Sequence, residues 1–507
     1  MGCKLLSDAA VNQPPAPVLG NGEEIKPTDI AASYRDVRDL QIAYFCPRTS
    51  CDMEEPVHTT GCPVVVRPAS DPNSLELRSD SLACLLTHPD VADLPVVVLS
   101  VAGGFRLGKS FLLGFCVRYL EHLETSPDSS DWMEQDNIPL TGFSWMYGSQ
   151  RETTGIHLWG KVFKVETERY GTVAVILMDT EGSFDNRTTL EGNVTIFSIS
   201  MLLSSIQLYN LTKQIIQADL EHLKLFTEYA SMARNAGGDG NEVFQKLLFL
   251  IRDWQFPQEK SFGLEGGEEL LQVLLQTDPI LPDEVCELRK RIRTSFAEVG
   301  CFLMPRPGDA VEEQGFDGRL SALSEDFRDQ LDSLLDYLLS TERLVPKMIN
   351  GRKITCKELV SMFQVYFNVF SGKQLPEPMT VFNATAYIHN KRIIEELVKQ
   401  YETDMEAVAR MTADSDSDSD IVTEHDRLMR VCLEKFESEP KLGDFATTLR
   451  EKLIEELNSR YDTLKRTHNM MREYSHEMNN RIAEDREQCQ RDHEARIEKS
   501  ALSEGKP

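Results

Sequence analysis

Short apolar runs alternate with helical stretches from about residue 62 to residue 346. The clearest runs are Val96–Val101, Val173–Met178, Lys246–Ile251 and Cys301–Met304, of which the first is rich in β-branched residues. A continuous apolar run is typical of a strand that is buried on both faces, and strands that alternate with helices are typical of a mostly parallel sheet. The pattern therefore predicts an α/β domain over residues 62–346.

The pattern becomes helical throughout from about residue 354. Apolar side chains recur there at helical spacing: Leu359, Met362, Phe363, Tyr366 and Phe370. A second helix is predicted from about residue 380 to 411, and a third helical region from about residue 423 to 498. We therefore expect an all-α helical-bundle middle domain over residues 347–475, followed by a charged tail, helical or disordered, over residues 476–507.

Two segments lack the apolar residues that a core requires. Residues 1–61 contain closely spaced prolines and glycines with scattered charge, and we expect this N-terminal segment to be disordered. Asp and Ser alternate from Asp414 to Asp420, which predicts a disordered acidic loop. Phosphorylation of its serines is one hypothesis, and a solvated loop without a role is the alternative.

Charge and cysteine content restrict the classes of partner and compartment. The chain has 507 residues and a formal net charge of -28, which argues against nucleic acid or an anionic membrane as a partner of the bulk surface. Many of the 11 cysteines lie in apolar runs and indicate reduced thiols rather than a disulfide framework. Neither a signal peptide nor a membrane-spanning stretch is apparent, so we expect a cytoplasmic protein.

A phosphate-binding motif follows the first predicted strand. Residues 103–110 read Gly-Gly-Phe-Arg-Leu-Gly-Lys-Ser, a complete G-x-x-x-x-G-K-[ST] loop, and a helix-like run begins at Phe111. In this context backbone N–H groups and a helix N-terminus converge on one anion. Lys109 would reach the β- and γ-phosphates, and Ser110 would hold Mg²⁺. A chance match on a glycine-rich turn is the alternative, but the flanking strand and helix favour a nucleoside triphosphate site.

Two further motifs follow later strands. Asp179-Thr-Glu-Gly182 comes directly after the run Val173–Met178, where the carboxylate can act on Mg²⁺ through a water and the glycine N–H can face the γ-phosphate. Arg252 and Asp253 follow the run Lys246–Ile251. A carboxylate there can accept both N–H donors of a guanine edge, which adenine does not present. The sequence therefore favours GTP over ATP.

These motifs resemble those of the guanylate-binding-protein and atlastin branch of the dynamin superfamily. In that branch Arg-Asp stands where common GTPases carry Asn/Thr-Lys-x-Asp. Further similar segments are Val98–Leu112, Arg151–Ile156, Met178–Asp185, Leu250–Trp254, Cys301–Gly308 and Tyr366–Pro378, the last resembling the start of atlastin's middle domain. The resemblance covers roughly residues 62–470 in the same order and spacing.

The resemblance implies a P-loop GTPase domain that hydrolyses GTP to GDP with Mg²⁺ and forms a GTP-dependent homodimer. The nucleotide-binding residues it implies are Gly103, Gly104, Phe105, Arg106, Leu107, Gly108, Lys109, Ser110, Phe111, Asp179, Gly182, Arg252 and Asp253. The loop Pro305–Gly308 would help to enclose the base. A GTP-binding assembly scaffold with little turnover is the alternative function.

Three catalytic residues are implied by the same resemblance. Arg106 matches an arginine finger supplied by the chain itself, a group that contributes about 10³–10⁵ in rate in related GTPases. A surface arginine paired with an acidic neighbour is the alternative. Thr153 and Thr154 lie in the first switch, and one of them should complete the Mg²⁺ shell. The predicted metal set is Ser110, Thr154 and Asp179, although the sequence does not decide between the two threonines.

The N-terminal segment carries two further candidate sites. Gly2 and Cys3 are candidates for dual acylation, although Leu6 stands where the consensus has Ser or Thr, and an unmodified start is the alternative. We therefore expect membrane association only through acylation or through a partner. A cluster of Cys46, Cys51, His58 and Cys62 has ligand types suited to zinc, but it lacks the C-x₂-C pairs of a RING module. We therefore favour unbound thiols over a zinc site. A role in ubiquitin-type chemistry is a weaker hypothesis, because the segment has too few ligands for a RING module.

Overall fold

A computed structural model describes most of the chain beyond residue 63. The described residues are 64–68, 75–125, 131–134, 136–145, 153–182, 190–237, 243–278, 280–371, 376–411, 419–443 and 445–504. The predicted N-terminal segment, residues 1–61, lies outside them, as do residues 414–418 of the predicted acidic loop.

A nine-stranded sheet forms the centre of the predicted α/β domain. Its strands are β1 Val64–Pro68, β2 Leu75–Leu77, β3 Val96–Gly103, β4 Ile156–Leu158, β5 Phe163–Thr167, β6 Gly171–Thr180, β7 Ile206–Thr212, β8 Phe244–Arg252 and β9 Phe296–Leu303, and a separate hairpin has β10 Met348–Ile349 and β11 Arg352–Lys353. The strand order is β2-β1-β4-β6-β3-β7-β8-β9, with β5 also paired to β6. The five strands from β6 to β9 in this order run parallel, whereas β1, β2, β4 and β5 make antiparallel pairs. The predicted fold class is confirmed.

Helices cover both faces of the sheet and continue beyond it. They are α1 Ser79–Leu86, α2 Lys109–Thr125, α3 Leu190–Leu203, α4 Gln217–Glu221, α5 Lys224–Gly237, α6 Gly263–Leu274, α7 Asp283–Ser295, α8 Glu325–Leu339, α9 Cys356–Phe370, α10 Pro378–Met411, α11 Ser419–Ser438 and α12 Ala446–Glu504. The third predicted helical region is therefore two helices, α11 and α12. Ser419 and Asp420, assigned from sequence to a disordered loop, instead begin α11 because the helix starts before the first apolar residue of its pattern.

Strand β3 illustrates how the sequence fixes the layers. All eight of its residues are buried. Because successive side chains point to opposite faces, Val96 and Val98 pack with α1, α3, α5 and α9, whereas Val97 and Leu99 pack with α2 and α8. A strand covered on both faces must be apolar at every position, which explains the continuous run. The carboxyl end of β3 then delivers the phosphate-binding motif to one edge of the sheet.

Beyond the sheet, α10, α11 and α12 form a helical bundle with its own core. That core includes Tyr401, Leu428, Phe436, Leu453 and Leu457. By contrast, the apolar face of α9 belongs to the core of the sheet. The domain boundary at residue 347 therefore stays a prediction. Among the helices in the described ranges, none combines the length and the apolar character needed to cross a membrane.

Candidate functional site

Parallel strands bring the three predicted motifs to one edge of the sheet. The phosphate-binding loop follows β3, Asp179 and Thr180 end β6, and Asp253 follows β8. A cavity of about 560 Å³ opens there. Its lining residues are Phe105, Arg106, Leu107, Gly108, Lys109, Ser110, Phe111, Trp145, Thr153, Thr180, Gly182, Arg252, Asp253, Arg306, Pro307, Gly308, Val311, Glu312 and Phe316. Most of the residues predicted to bind nucleotide therefore share one cavity, which has the size of a small-molecule site.

The phosphate-binding loop is shaped by close backbone packing. Gly103 has a φ of 144°, and a Cβ on it would lie 2.0 Å from the carbonyl oxygen of Asn210, so a side chain is excluded. The loop curls around the ammonium of Lys109, which is 6% exposed and donates to the carbonyl oxygens of Gly103 at 3.3 Å and Gly104 at 3.0 Å. The Asn210 side-chain amide holds the carbonyl of Leu107 at 2.8 Å. The loop is thus fixed from the neighbouring strand β7.

Three oxygen-bearing side chains converge behind the loop. The hydroxyls of Ser110 and Thr153 donate to Oδ2 of Asp179 at 2.5 and 2.9 Å, and the two hydroxyl oxygens lie 3.1 Å apart. Asp179 is 1% exposed, and its Oδ1 has no hydrogen-bond partner within the described residues. Burial raises the pKa of Asp179, while the charge of Lys109 acts in the opposite direction. The arrangement leaves a buried carboxylate oxygen available for a cation.

The two switch threonines differ in what they contact. Thr153 contributes its hydroxyl to the cluster with Ser110 and Asp179. The carbonyl oxygen of Thr154 is instead hydrogen-bonded to Nε2 of His157 at 2.9 Å. The structure therefore places the Thr153 hydroxyl beside Ser110 and Asp179. The predicted metal set named Thr154, and which of the two threonines ligates Mg²⁺ stays a prediction.

A buried glutamate that was not predicted joins the first switch to the second. Glu181 is 2% exposed, and its Oε2 accepts a hydrogen bond from the backbone N–H of Gly155 at 2.7 Å. Its own backbone N–H donates to the carbonyl of Gly155 at 2.8 Å. On the other side, a Cβ on Gly155 would lie 1.9 Å from the carbonyl oxygen of Val66. Gly155 is thus held between Glu181 and strand β1.

The Arg-Asp pair occupies the end of strand β8. Arg252 is 6% exposed and donates to the carbonyl oxygen of Leu107 at 3.2 Å, so its guanidinium supports the phosphate-binding loop. Burial lowers the pKa of Arg252, and the charge of Asp253 partly offsets that effect. Asp253 has a φ of 58° and a half-buried side chain on the cavity wall. The left-handed turn directs the chain away from the strand at the point where the motif predicts base recognition.

Sequence comparisons identify proteins that are similar to this chain. The chain matches the sequence model of the guanylate-binding protein N-terminal domain over residues 72–348. It is 40% identical over 408 residues to Atlastin-2 of Homo sapiens, covering 79% of this chain and 68% of that protein. It is 39% identical over 405 residues to Atlastin-3 of Homo sapiens (78% and 74%), and 39% identical over 415 residues to Atlastin-1 of Mus musculus (81% and 73%).

The chain belongs to the guanylate-binding protein and atlastin family. It is accordingly a GTPase of the dynamin superfamily, and the predicted family is confirmed. The roles of individual residues in this GTPase stay predictions. Gly103, Gly104 and Asp179 lie behind the cavity surface rather than on its lining, whereas the other predicted nucleotide-binding residues line it.

Arg106, the predicted finger of the GTPase, lies at the outer part of the phosphate-binding loop. It has a φ of 63°, its side chain is exposed and lines the cavity, and its guanidinium carbon is 5.0 Å from the ring centroid of Phe105. A left-handed conformation at a non-glycine residue is unfavourable, so the loop as a whole must impose it. An exposed guanidinium beside the phosphate-binding residues is suitably placed to approach a bound phosphate.

The cavity of the GTPase is lined both by residues that were predicted from sequence and by residues that were not. Arg306 and Gly308 belong to the predicted enclosing loop, and Arg306 forms an ion pair with Glu312 at 3.0 Å. The aromatic residues Trp145 and Phe316 had no motif to reveal them.

Gly2, Cys3 and the cluster Cys46, Cys51, His58 and Cys62 lie outside the described residues. Across the part of the chain that the structure covers, no group of three or more His, Cys, Asp or Glu residues is arranged to hold a metal ion.

Proposed function

We propose that this GTPase hydrolyses GTP to GDP and phosphate with the help of Mg²⁺, and that GTP binding drives the formation of a homodimer. The observation that carries the first part is the convergence of Ser110, Thr153 and Asp179 behind the phosphate-binding loop. The resemblance to the atlastin branch supports homodimerisation. A GTP-binding scaffold would have no need of a full hydrolytic set.

Substrate recognition would divide between the two ends of the cavity. The phosphates would lie on the backbone N–H groups of residues 104–110 and on Lys109, at the N-terminus of α2, where the helix dipole favours negative charge. Asp253 would accept the N1–H and the amino N–H of guanine. Adenine has no donor at N1, so ATP would leave a half-buried carboxylate unpaired. We therefore expect a preference for GTP.

The chemistry of the donor set fits Mg²⁺. Two hydroxyls and a carboxylate are hard oxygen ligands, and Oδ1 of Asp179 is buried without a partner in the described structure. Ser110 and Thr153 would hold the ion through their hydroxyl oxygens. The Asp179 carboxylate would accept hydrogen bonds from the groups that ligate the ion. When bound, Mg²⁺ neutralises charge that develops on the β- and γ-phosphate oxygens.

Catalysis would then depend on two groups of this chain that act on the γ-phosphate. Arg106 would donate to the phosphate oxygens as their charge increases, from an exposed position that allows the side chain to swing inward. Thr153 would position the first switch through its hydroxyl. Because Gly155 is bonded to Glu181, movement of either switch is transmitted to the other. Only interactions that are stronger in the transition state than in the ground state raise the rate.

Membrane tethering or remodelling is the cellular role that we propose on family grounds. Attachment would depend on acylation of Gly2 and Cys3 or on a partner protein. Two acyl chains are enough for stable anchoring, whereas one is marginal.

Comparing two loop variants tests the proposed function. Lys109→Ala should abolish nucleotide binding, because the loop loses the ammonium that its carbonyls enclose. Arg106→Ala should bind GTP within a few-fold of wild type yet lower single-turnover hydrolysis by at least about 100-fold. Analytical ultracentrifugation with a non-hydrolysable GTP analogue should show a dimer for wild type and a monomer for Lys109→Ala. Normal hydrolysis by Arg106→Ala, or hydrolysis by a strictly monomeric wild type, would contradict the corresponding part of the proposal.

A further inference from the structure

His157 lies on the strand that follows the first switch and shares a face of the sheet with Asp179. In the antiparallel pairing of β4 with β6, His157 is directly opposite Asp179. Its neighbours Ile156 and Leu158 are buried in the core on the other face of the sheet. Successive residues of a strand alternate between faces, and directly opposed residues of paired strands share one. The half-buried imidazole therefore lies on the same side of the sheet as the Asp179 carboxylate.

The imidazole of His157 contacts the backbone of the first switch. Its Nε2 lies 2.9 Å from the carbonyl oxygen of Thr154. A carbonyl oxygen only accepts hydrogen bonds, so Nε2 carries the proton of this bond and donates it. The neutral tautomer with Nε2–H and the imidazolium both keep that donor. The contact is therefore independent of the charge on the ring.

Glu181 holds the same peptide group from its opposite edge. The carbonyl of Thr154 and the N–H of Gly155 belong to one planar peptide group and point in opposite directions. The Gly155 N–H donates to Oε2 of Glu181 at 2.7 Å, while the Thr154 carbonyl accepts from the imidazole. Glu181 directly follows β6, and His157 lies on β4, which pairs with β6. Two side chains fixed by the sheet thus determine the direction in which this peptide plane faces.

Thr153 directly precedes the held peptide group, so its position depends on the orientation of that group. The Thr153 hydroxyl reaches Oδ2 of Asp179 at 2.9 Å and lies 3.1 Å from the Ser110 hydroxyl. Rotation of the peptide plane between Thr154 and Gly155 would carry the backbone of Thr153 with it. The hydroxyl would then move away from both of its partners.

We propose that His157 is a positioning residue for hydrolysis, because its bond to the Thr154 carbonyl keeps the Thr153 hydroxyl at the site proposed for Mg²⁺. This inference rests on the proposed function, since it requires Thr153 to act in Mg²⁺-dependent hydrolysis. His157 stands outside the lining of the nucleotide cavity that the described residues form. It therefore acts through the first switch and leaves the phosphate-binding loop unchanged.

The kinetics of the folded protein distinguish positioning from a purely structural role. A residue that only stabilised β4 would change the unfolding temperature without changing the turnover of the folded protein. Loss of a positioning contact lowers kcat and raises the Mg²⁺ concentration needed for half-maximal activity, because a small misplacement of a reacting group lowers the rate steeply. The Kd for GDP without Mg²⁺ should change by less than about 2-fold, since that affinity depends on the phosphate-binding loop and the base side.

The test compares substitutions of His157 in the full chain. His157→Leu removes the donor and should lower kcat for GTP by about 5-fold or more and raise the half-maximal Mg²⁺ concentration by about 3-fold or more. His157→Gln should restore both quantities to within about 2-fold, because its amide nitrogen is as many bonds from Cβ as Nε2 of histidine. His157→Asn has its amide nitrogen one bond closer to Cβ, at the place of Nδ1, and should behave like His157→Leu.

A histidine elsewhere in the domain provides the matched control. The half-buried ring of His222 is hydrogen-bonded to the Tyr209 hydroxyl at 2.9 Å, outside the described lining of the cavity, so His222→Leu should keep wild-type kcat and Mg²⁺ dependence. Thermal unfolding verifies that each variant is folded, and if His157→Leu is not, the comparison of His157→Gln with His157→Asn decides.

The possible failures of the inference and of the proposed function are distinguishable. Wild-type kcat and Mg²⁺ dependence in folded His157→Leu, or the same kinetics in His157→Gln and His157→Asn, would overturn the inference. A wild type without GTP turnover, or one insensitive to Thr153→Ala, would instead overturn the proposed function.

Discussion

The clearest single perturbation of the site is the pair of variants Thr153→Ala and Thr154→Ala. These neighbouring threonines are chemically identical, and the sequence did not decide which of them completes the metal shell, although the predicted metal set named Thr154. The Thr153 hydroxyl lies 2.9 Å from Oδ2 of Asp179 and 3.1 Å from the Ser110 hydroxyl. For Thr154, the contact that the structure shows is made by its backbone carbonyl, which alanine keeps.

The magnitude follows from the loss of one charge-assisted hydrogen bond. Such a bond contributes about 1.5–3 kcal/mol, which corresponds to roughly a 10- to 100-fold change. Because the hydroxyl is also a candidate metal ligand, Thr153→Ala should lower kcat by at least the lower of these factors and raise the Mg²⁺ concentration needed for half-maximal activity. Thr154→Ala should change either quantity by no more than about 3-fold, because alanine keeps the backbone carbonyl through which Thr154 contacts His157.

Single-turnover hydrolysis across a Mg²⁺ titration measures both quantities. Circular dichroism melting of each variant serves as the folding control. The reasoning would be refuted if Thr154→Ala were the more damaging variant, or if Thr153→Ala left the Mg²⁺ dependence unchanged.

Three further predictions concern the base, the switches and the N-terminus. Asp253→Asn should weaken GTP binding and relax discrimination against xanthine nucleotides. If ATP and GTP compete equally for the wild-type site, Asp253 does not recognise guanine. Glu181→Ala leaves the buried N–H of Gly155 without its acceptor and should lower the free energy of unfolding by about 1–3 kcal/mol in urea titration. Glu181→Gln keeps an acceptor, so its free energy of unfolding should fall by less. Equal losses in the two variants would argue against this hydrogen bond. Gly2→Ala should shift any membrane-bound fraction to the supernatant on sedimentation, and pelleting that persists through high salt would point to a partner protein.

The contiguous motifs were accessible from the sequence for a physical reason. A phosphate-binding loop is a local structure, and parallel strands place their carboxyl ends at one edge of the sheet. Lys109, Asp179 and Asp253 could therefore be assigned to a common site without knowledge of the tertiary fold. Strand positions were likewise predictable because a strand buried on both faces, such as β3, is apolar throughout.

Contacts between distant loops were not accessible in this way. The partners Trp145 and Phe316 meet only after the loop that carries Phe316 has packed, and aromatic residues in loops carry no spacing signal. Glu181 occupies the variable position of its motif, so its bond to Gly155 could not be read from the pattern. Helical periodicity showed that α9 has an apolar face, but it did not show that this face packs on the sheet.

The most direct test of the central claim is to locate the metal. Crystals of the full chain with Mn²⁺ and a non-hydrolysable GTP analogue should give an anomalous peak about 2.1 Å from the hydroxyl oxygens of Ser110 and Thr153. The Asp179 carboxylate should face the same peak directly or through one water. A peak ligated by the Thr154 hydroxyl, or one remote from Asp179, would contradict the account.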